Sequence, residues 1–425
     1  MINLYPHQVE ALKLTEHCNR VAYYYDMGLG KTYIGSEKAI SLKRNILVVC
    51  QKSKVSDWYL HFLQNYSKED CVYDLTFSDK SIDRFVKTCE LSNEHNLPQI
   101  NIGVINYDLL WRRKELSQLT NFTLLLDESS LIQNETSKRA KFILNKLHPT
   151  NIILLSGTPI NGKYEQLWSQ CKLLGWNISK ELFYRQFVVI KRSLDGYPII
   201  TGYKNVERLK RKLRDYGAIF KKTEEVIDLP TQNFIDIKVP ESAYYKKFKR
   251  DRIITIGEQT LVGDTALTNM LYQRMLCGHF NIDKLSAFED ILESTNDRLV
   301  VFYNFNDELT ELERICREKG RPMSFCNGSD KELGNFENCE NAVILVQYQS
   351  GAYGLNLQKA NKIIYFSPPL SSDLFEQSKK RIHRIGQDKP CFYYLLKTGI
   401  DYRIYDTLAM RRDYTDKLFE EGEQK

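Results

Sequence analysis

Short apolar runs punctuate a polar background along this chain. Val21–Tyr25, Ile46–Cys50, Ile102–Ile105, Leu124–Leu126 and Ile152–Leu155 are such runs, and polar helical stretches separate them. That alternation predicts a parallel sheet with covering helices. From Tyr164 to about Lys222 the alternation fades, aromatic and basic residues rise, and the pattern predicts helices. Asp228-Leu229-Pro230 reads as a break between lobes. A second alternating region starts near Leu285. Leu299–Tyr303, Ala342–Val346 and Lys362–Phe366 read as strands there, Phe392–Leu396 as a last strand and Asp401–Phe419 as a closing helix. The expected fold class is α/β, in two lobes. The first spans 1–228 with a helical insertion at about 164–222, and the second spans 229–425 with one at about 241–280.

Two of the strands end in chemistry. Val21–Tyr25 runs into Asp26-Met27-Gly28-Leu29-Gly30-Lys31-Thr32 and then into an expected helix, Tyr33–Leu42. Gly28 and Gly30 permit a tight turn with inward N–H groups. Lys31 can reach the β and γ phosphates of a nucleotide, Thr32 can ligate Mg²⁺, and the helix N-terminus favours anions. The general phosphate-loop pattern wants Gly where Tyr25 stands. Phe122–Leu126 is an apolar run expected to be a central parallel strand. Asp127 and Glu128 follow at its carboxyl end, where open α/β sheets bind ligands. Asp127 would hold Mg²⁺ and Glu128 would polarise the attacking water. A bare helix cap is the competing reading of the acidic pair. Two such motifs in this order point to a P-loop NTPase.

Composition adds limits. The chain has 425 residues, room for two full cores, with 42% hydrophobic and 27% charged residues. A net charge of +6 permits nucleic-acid binding without arguing for it. The 10 cysteines form no C-x-x-C pair and suit reduced core thiols. Pro6, His7, Gln8 and Glu10 interrupt any leader-like apolar stretch, and no run long enough to span a membrane is expected. A cytoplasmic protein is the expectation. The richness in Lys, Asn, Ile and Tyr suits a bacterial or phage-infected cell with an AT-rich genome.

Further motifs follow in a fixed order: Tyr5-Pro6-His7-Gln8, Ser156-Gly157-Thr158-Pro159, Ser350-Gly351 through Gly354 to Leu357, and Gln377 through Arg381, His383, Arg384 and Gly386 to Gln387. The series resembles the Swi/Snf-type (Snf2-like) ATPases of helicase superfamily two, from Tyr5 to about Leu408. The resemblance implies two tandem RecA-like lobes with short helical protrusions, using ATP and Mg²⁺. It implies a motor that translocates on double-stranded DNA, acting as a monomer on an unidentified protein partner or displaced target. Met27, Gly28, Leu29, Gly30, Lys31 and Thr32 would cradle phosphates, Gln8 would read the adenine edge, and Gly354 and Gln377 would complete the nucleotide site. Arg381 and Arg384 match the arginines offered to the γ-phosphate. Loops matching the family's DNA contacts carry Lys52, Ser53, Asn106, Tyr107, Asn327, Gly328, Ser350 and Gly351. Ser129-Ser130 stand where Ala-His is usual, and Ser130 would bond toward Ser156 or Thr158 to couple ATP to the DNA track. Phe366-Ser367-Pro368-Pro369 replaces the family's Asp-x-x-Trp-Asn-Pro. A strand-separating DNA or RNA helicase is the alternative enzyme, and an ATP-gated binding module with little turnover is the alternative of another class.

Overall fold

The computed structural model describes residues 3–66, 71–160, 162–192, 196–328, 331–351 and 355–419, with backbone alone at 350–351 and 413–419. Gly354 therefore lies outside the described residues. The chain divides into two compact units, one built on Met1–Val226 and the other on Ile227–Arg412.

The first unit holds a seven-stranded sheet. Its strands are β1 (Arg20–Tyr25), β2 (Asn45–Cys50), β3 (Val72–Asp74), β4 (Ile102–Asn106), β5 (Phe122–Leu126), β6 (Asn151–Ser156) and β9 (Ala218–Lys221), with β7 (Val188–Arg192) and β8 (Pro198–Tyr203) forming a separate hairpin. The order is β3-β4-β2-β5-β6-β1-β9 and every pairing is parallel. Helices cover both faces, so β2 and β5 are buried at every position. This is why the sequence writes them as unbroken apolar runs rather than alternating ones. Helix α1 (Pro6–Leu14) precedes β1, α2 (Lys31–Ser41) follows it, α3 (Val55–Asn65) follows β2, α4 (Asp79–Glu94) follows β3, and the short α5 (Tyr107–Leu110) follows β4. Pro6 opens α1, where its missing N–H costs nothing.

The second unit repeats the plan. Its strands are β10 (Gln232–Lys238), the hairpin β11 (Ile253–Ile256) and β12 (Gln259–Val262), β13 (Leu299–Tyr303), β14 (Met323–Cys326), β15 (Lys331–Glu332), β16 (Val343–Gln347), β17 (Lys362–Tyr365) and β18 (Cys391–Lys397). The main sheet runs β10-β18-β17-β13-β16-β14-β15, parallel except at the β14/β15 edge. Two tandem RecA-like lobes describe this architecture. No described helix is long and apolar enough to cross a membrane.

The two stretches expected to be helical differ from that expectation. Between Tyr164 and Lys222 there are helices at Trp168–Leu173, Lys180–Phe187 and Val206–Asp215, but also the β7–β8 hairpin and the edge strand β9. β9 is a four-residue run that becomes a strand only because Gly217 brings it against β1. Gly217 has φ +86°, and a Cβ there would stand 2.5 Å from the Arg20 carbonyl oxygen. Between 241 and 280, helices Ala243–Asp251 and Ala266–Cys277 flank the β11–β12 hairpin. The edge strand β10 escapes notice for another reason. Its side chains are half-exposed or exposed, so it carries little apolar pattern.

Candidate functional site

The carboxyl ends of β1, β5 and β6 bring the two leading motifs together. Past Tyr25 the chain turns through Gly28 (φ +88°) and Gly30 (φ +73°) into α2. The turn leaves open space where a Cβ of residue 28 would stand, while a Cβ on Gly30 would meet the Gln8 amide nitrogen at 2.2 Å. Glycine at 30 suits the left-handed backbone, and a side chain there would displace the Gln8 amide. Lys31 folds back and its Nζ donates to the main-chain oxygens of Tyr25 (2.8 Å) and Asp26 (3.2 Å). This accounts for Tyr25 at a position where glycine was expected. Its carbonyl serves the loop, while its ring faces α1 and its hydroxyl donates to the His7 carbonyl at 3.3 Å. Met27 and Thr32 are half-buried and Leu29 is buried. Gly157, from the Ser156-Gly157-Thr158-Pro159 turn after β6, lies against the loop, since its Cβ would stand 3.3 Å from Lys31 Nζ.

Asp127 follows the central strand β5, and its N–H bonds the Val49 carbonyl of β2 at 2.9 Å. Three donors fix it. Trp58 Nε1 donates to Oδ2 at 2.8 Å, the Glu128 N–H donates to Oδ1 at 3.1 Å, and the Tyr107 hydroxyl donates to the main-chain oxygen at 2.8 Å. Burial pushes the Asp127 carboxyl above its usual range, against the Trp58 bond and the charges of Lys31 and Lys54. A hydrogen bond to a charged group is worth roughly 1.5–3 kcal/mol, so Trp58 matters to the state of this carboxylate. Glu128 sits at φ +50°, a left-handed conformation that a non-glycine residue adopts at a cost.

The donor set fits a magnesium nucleotide. Lys31 and the loop N–H groups suit phosphate oxygens, and the Thr32 hydroxyl with the Asp127 carboxylate supplies hard oxygen ligands.

Several expected roles change. Gln8 is 1% exposed, and its amide does not present a free edge. Nε2 donates to the carbonyls of Leu29 (3.1 Å) and Gly30 (3.2 Å), and Oε1 accepts from the Tyr5 N–H at 2.8 Å. Gln8 braces the phosphate loop. Asn106 and Tyr107 are 3% and 2% exposed, so burial removes them from contact with a DNA backbone, and Tyr107 instead holds Asp127. Lys52 and Ser53 are exposed on the 3-10 turn Lys52–Lys54 that leads into α3. Ser130 does not make the expected link to Ser156 or Thr158. The neighbouring Ser129 donates to Gln170 Oε1 at 2.8 Å, and Gln170 Nε2 donates to the Pro159 carbonyl at 2.8 Å. Ser156 Oγ accepts from the Thr158 N–H at 3.2 Å, a bond within its own turn. Tyr24 also donates to Gln170, at 2.9 Å.

In the second unit, Arg381 is 3% exposed and donates to the Leu355 carbonyl at 3.1 Å, so its side chain is enclosed. Arg384 is half-exposed and bonds Asn356 Oδ1, and burial lowers its guanidinium from the ordinary value. Gln377 is buried and donates to Asp373 Oδ1 at 3.0 Å. Gln387 Nε2 gathers the carbonyls of Gln358, Ala360 and Ile382, and His383 Nε2 pairs with the Pro230 carbonyl at 2.8 Å. Asn327 is half-buried and Gly328 exposed, at the end of β14. The Ser350 side chain and the exposure of Gly351 lie outside the described set.

Trp58 and Gln170 contact the candidate site and escaped the sequence reading, which placed the coupling bond on Ser130 rather than on its neighbour Ser129. A Trp on an amphipathic helix advertises burial. Its N–H must then find an acceptor, but nothing in the sequence says which.

Comparisons with known proteins give two family matches along the chain. The SNF2-related domain family matches residues 9–282, and the helicase conserved C-terminal domain matches 283–386. The putative ATP-dependent helicase/translocase YwqA of Bacillus subtilis is 23% identical over 93% of this chain and 46% of its own length. The mouse SWI/SNF-related matrix-associated actin-dependent regulator of chromatin subfamily A member 1 is 23% identical over 93% of this chain and 41% of its own. The yeast DNA repair and recombination protein RDH54 is 26% identical over 94% and 49%. This chain thus spans about half the length of these relatives, or less. Among solved structures, the Sulfolobus solfataricus SWI2/SNF2 ATPase core in complex with dsDNA is 20% identical, covering 98% of this chain and 92% of that one at a TM-score of 0.42.

Proposed function

Because this chain belongs to the SNF2-related family, we propose that it hydrolyses ATP in response to DNA and uses the turnover to move along the duplex without separating its strands. The observation that carries the reading is the convergence at the strand ends of lobe one. The Gly28–Thr32 loop and its Lys31 lie where the charge of Lys31 acts on the half-buried Asp127.

Each residue has a role on this reading. Lys31 and the loop N–H groups bind the β and γ phosphates, and Gln8 keeps the loop in shape. Thr32 and Asp127 hold Mg²⁺, which when bound screens phosphate charge. Glu128 orients water for in-line attack and takes its proton. Arg384 stabilises the charge that develops on the phosphoryl oxygens. Ser129 and Gln170 link the acidic motif to the Ser156–Pro159 turn. Lys52 and Ser53, with Asn327 and Gly328, contact DNA phosphates, which position a protein without reading sequence. A monomer suffices on this reading, with a displaced protein as the object of the movement.

Steady-state ATP hydrolysis tests it, measured without nucleic acid and with single-stranded DNA, RNA and duplex DNA of increasing length, beside Glu128→Gln. Stimulation that rises with duplex length is the expected result. Stimulation by single strands or RNA alone would replace the reading with a strand-separating enzyme. A biological effect that survives in Glu128→Gln would replace it with an ATP-gated binding module.

A further inference from the structure

We propose that Trp58 is a positioning residue that ties the exposed turn Lys52–Lys54 to the Asp127 carboxylate, so that nucleic acid seated on the turn changes the hold on magnesium. The inference rests on the ATPase reading above and names a route for its regulation.

The route is short and stiff. α3 begins at Val55, the residue after the turn, and Trp58 lies in its first helical turn. A displacement of Lys52 or Ser53 therefore reaches Trp58 through helix rather than flexible chain. Trp58 is 2% exposed, so its indole N–H is held inside the fold and its acceptor there is Oδ2 of the half-buried Asp127. Its ring stacks on Phe62 at 5.7 Å, which fixes the direction of the N–H. The same helix has a second foothold on the site. His61 Nε2 pairs with Ser36 Oγ at 2.9 Å, and Ser36 is on α2, the helix that opens at the phosphate loop. Tyr107 holds the main-chain oxygen of Asp127 from the other neighbouring loop. One tether thus fixes the pivot of Asp127, and the other sets how its carboxylate is aimed. Partners that orient a ligating carboxylate change metal affinity without touching the metal.

The test uses the full chain and Trp58→Phe, which keeps a ring in the pocket and deletes the donor. Mg²⁺ is titrated against a fluorescent ADP analogue, which requires no turnover. The Mg²⁺ concentration for half-maximal nucleotide binding is expected to rise about tenfold in Trp58→Phe. Duplex DNA is expected to shift that concentration in the unmodified protein but not in the variant. Trp58→His, which returns a ring N–H, is expected to recover part of the affinity. An unchanged half-saturation in Trp58→Phe, or an equal response to duplex in both proteins, overturns the proposal. A second measurement covers the case of a variant that fails to fold. With Trp111, Trp168 and Trp176 replaced by Phe, Trp58 is the sole fluorescent indole. Its emission is expected to change on adding duplex DNA alone and again on adding Mg²⁺ with ADP, and silence to both overturns the route. An unmodified protein that hydrolyses no ATP with any nucleic acid would sink the functional reading instead, and the binding titration would still judge the tether.

Discussion

At the end of β5, donors from three chain segments converge on one aspartate, and the basic side chain beside it, Lys31, is half-buried. In the second lobe, Arg381–Gln387 does the reverse. Arg381, His383 and Gln387 each place a donor on a carbonyl of their own lobe, and Arg384 is the half-exposed arginine of the pair. Both segments read as motifs in the sequence. The comparison shows that a motif side chain can serve as scaffold, and that a residue outside any motif, Trp58, can face the chemistry.

The largest expected effect lies in the first lobe. Lys31→Ala should abolish ATP turnover, and Glu128→Gln should do the same while leaving nucleotide binding in place. Turnover assays beside nucleotide binding separate the two, and retained hydrolysis in Lys31→Ala would refute its assignment. Next comes Arg384→Ala. It should slow turnover by about 10³ at nearly unchanged ATP affinity, the scale of a lost arginine finger. A collapse of affinity at unchanged kcat would contradict that role.

Arg381→Ala sharpens the contrast. It leaves the buried Leu355 carbonyl without its donor, at a cost of about 1–3 kcal/mol. A lower melting temperature is expected to dominate over any loss of rate per folded molecule. If Arg381→Ala instead matched Arg384→Ala in rate at an unchanged melting temperature, the two arginines would be equivalent and the comparison would fail.

The smallest effect concerns pH. Burial lowers the pKa of His61 in the first lobe and of His279 in the second. Each therefore takes up its proton less readily when folded, while the unfolded chain takes up protons near the ordinary value of about 6.5. The unfolded state then binds more protons as pH falls through that value, so this contribution is complete above it and is lost on acidification. Asp307 lies 3.7 Å from His279 and opposes its shift, whereas among the described residues no carboxylate opposes the shift of His61. Melting curves should show the first lobe losing more stability below pH about 6.5, and His61→Gln should flatten that slope. An unaltered slope in the variant would assign the effect elsewhere.

Much of this was legible in advance. β13 and the closing helix Asp401–Phe419 lie where the apolar pattern puts them, because a strand buried on both faces and a long helix each write many residues of signal. The phosphate loop was legible for a related reason. Its glycines and lysine are required locally, by backbone conformation and charge, whatever surrounds them.

What the sequence determined by itself was the class of element at each place and the set of groups able to meet a magnesium nucleotide. Only the tertiary structure decided which groups touch. The sheet order β4-β2-β5 carries Tyr107 and Trp58 to Asp127 from positions 20 and 69 residues away. Packing within the second unit encloses Arg381, and packing within the first aims Gln8 at the phosphate loop and gives Ser129 rather than Ser130 the bond to Gln170. The reason is physical. Propensity and periodicity act over a few residues, whereas a buried donor takes whatever acceptor the packed strands bring within reach, and that pairing exists only once the sheet has formed.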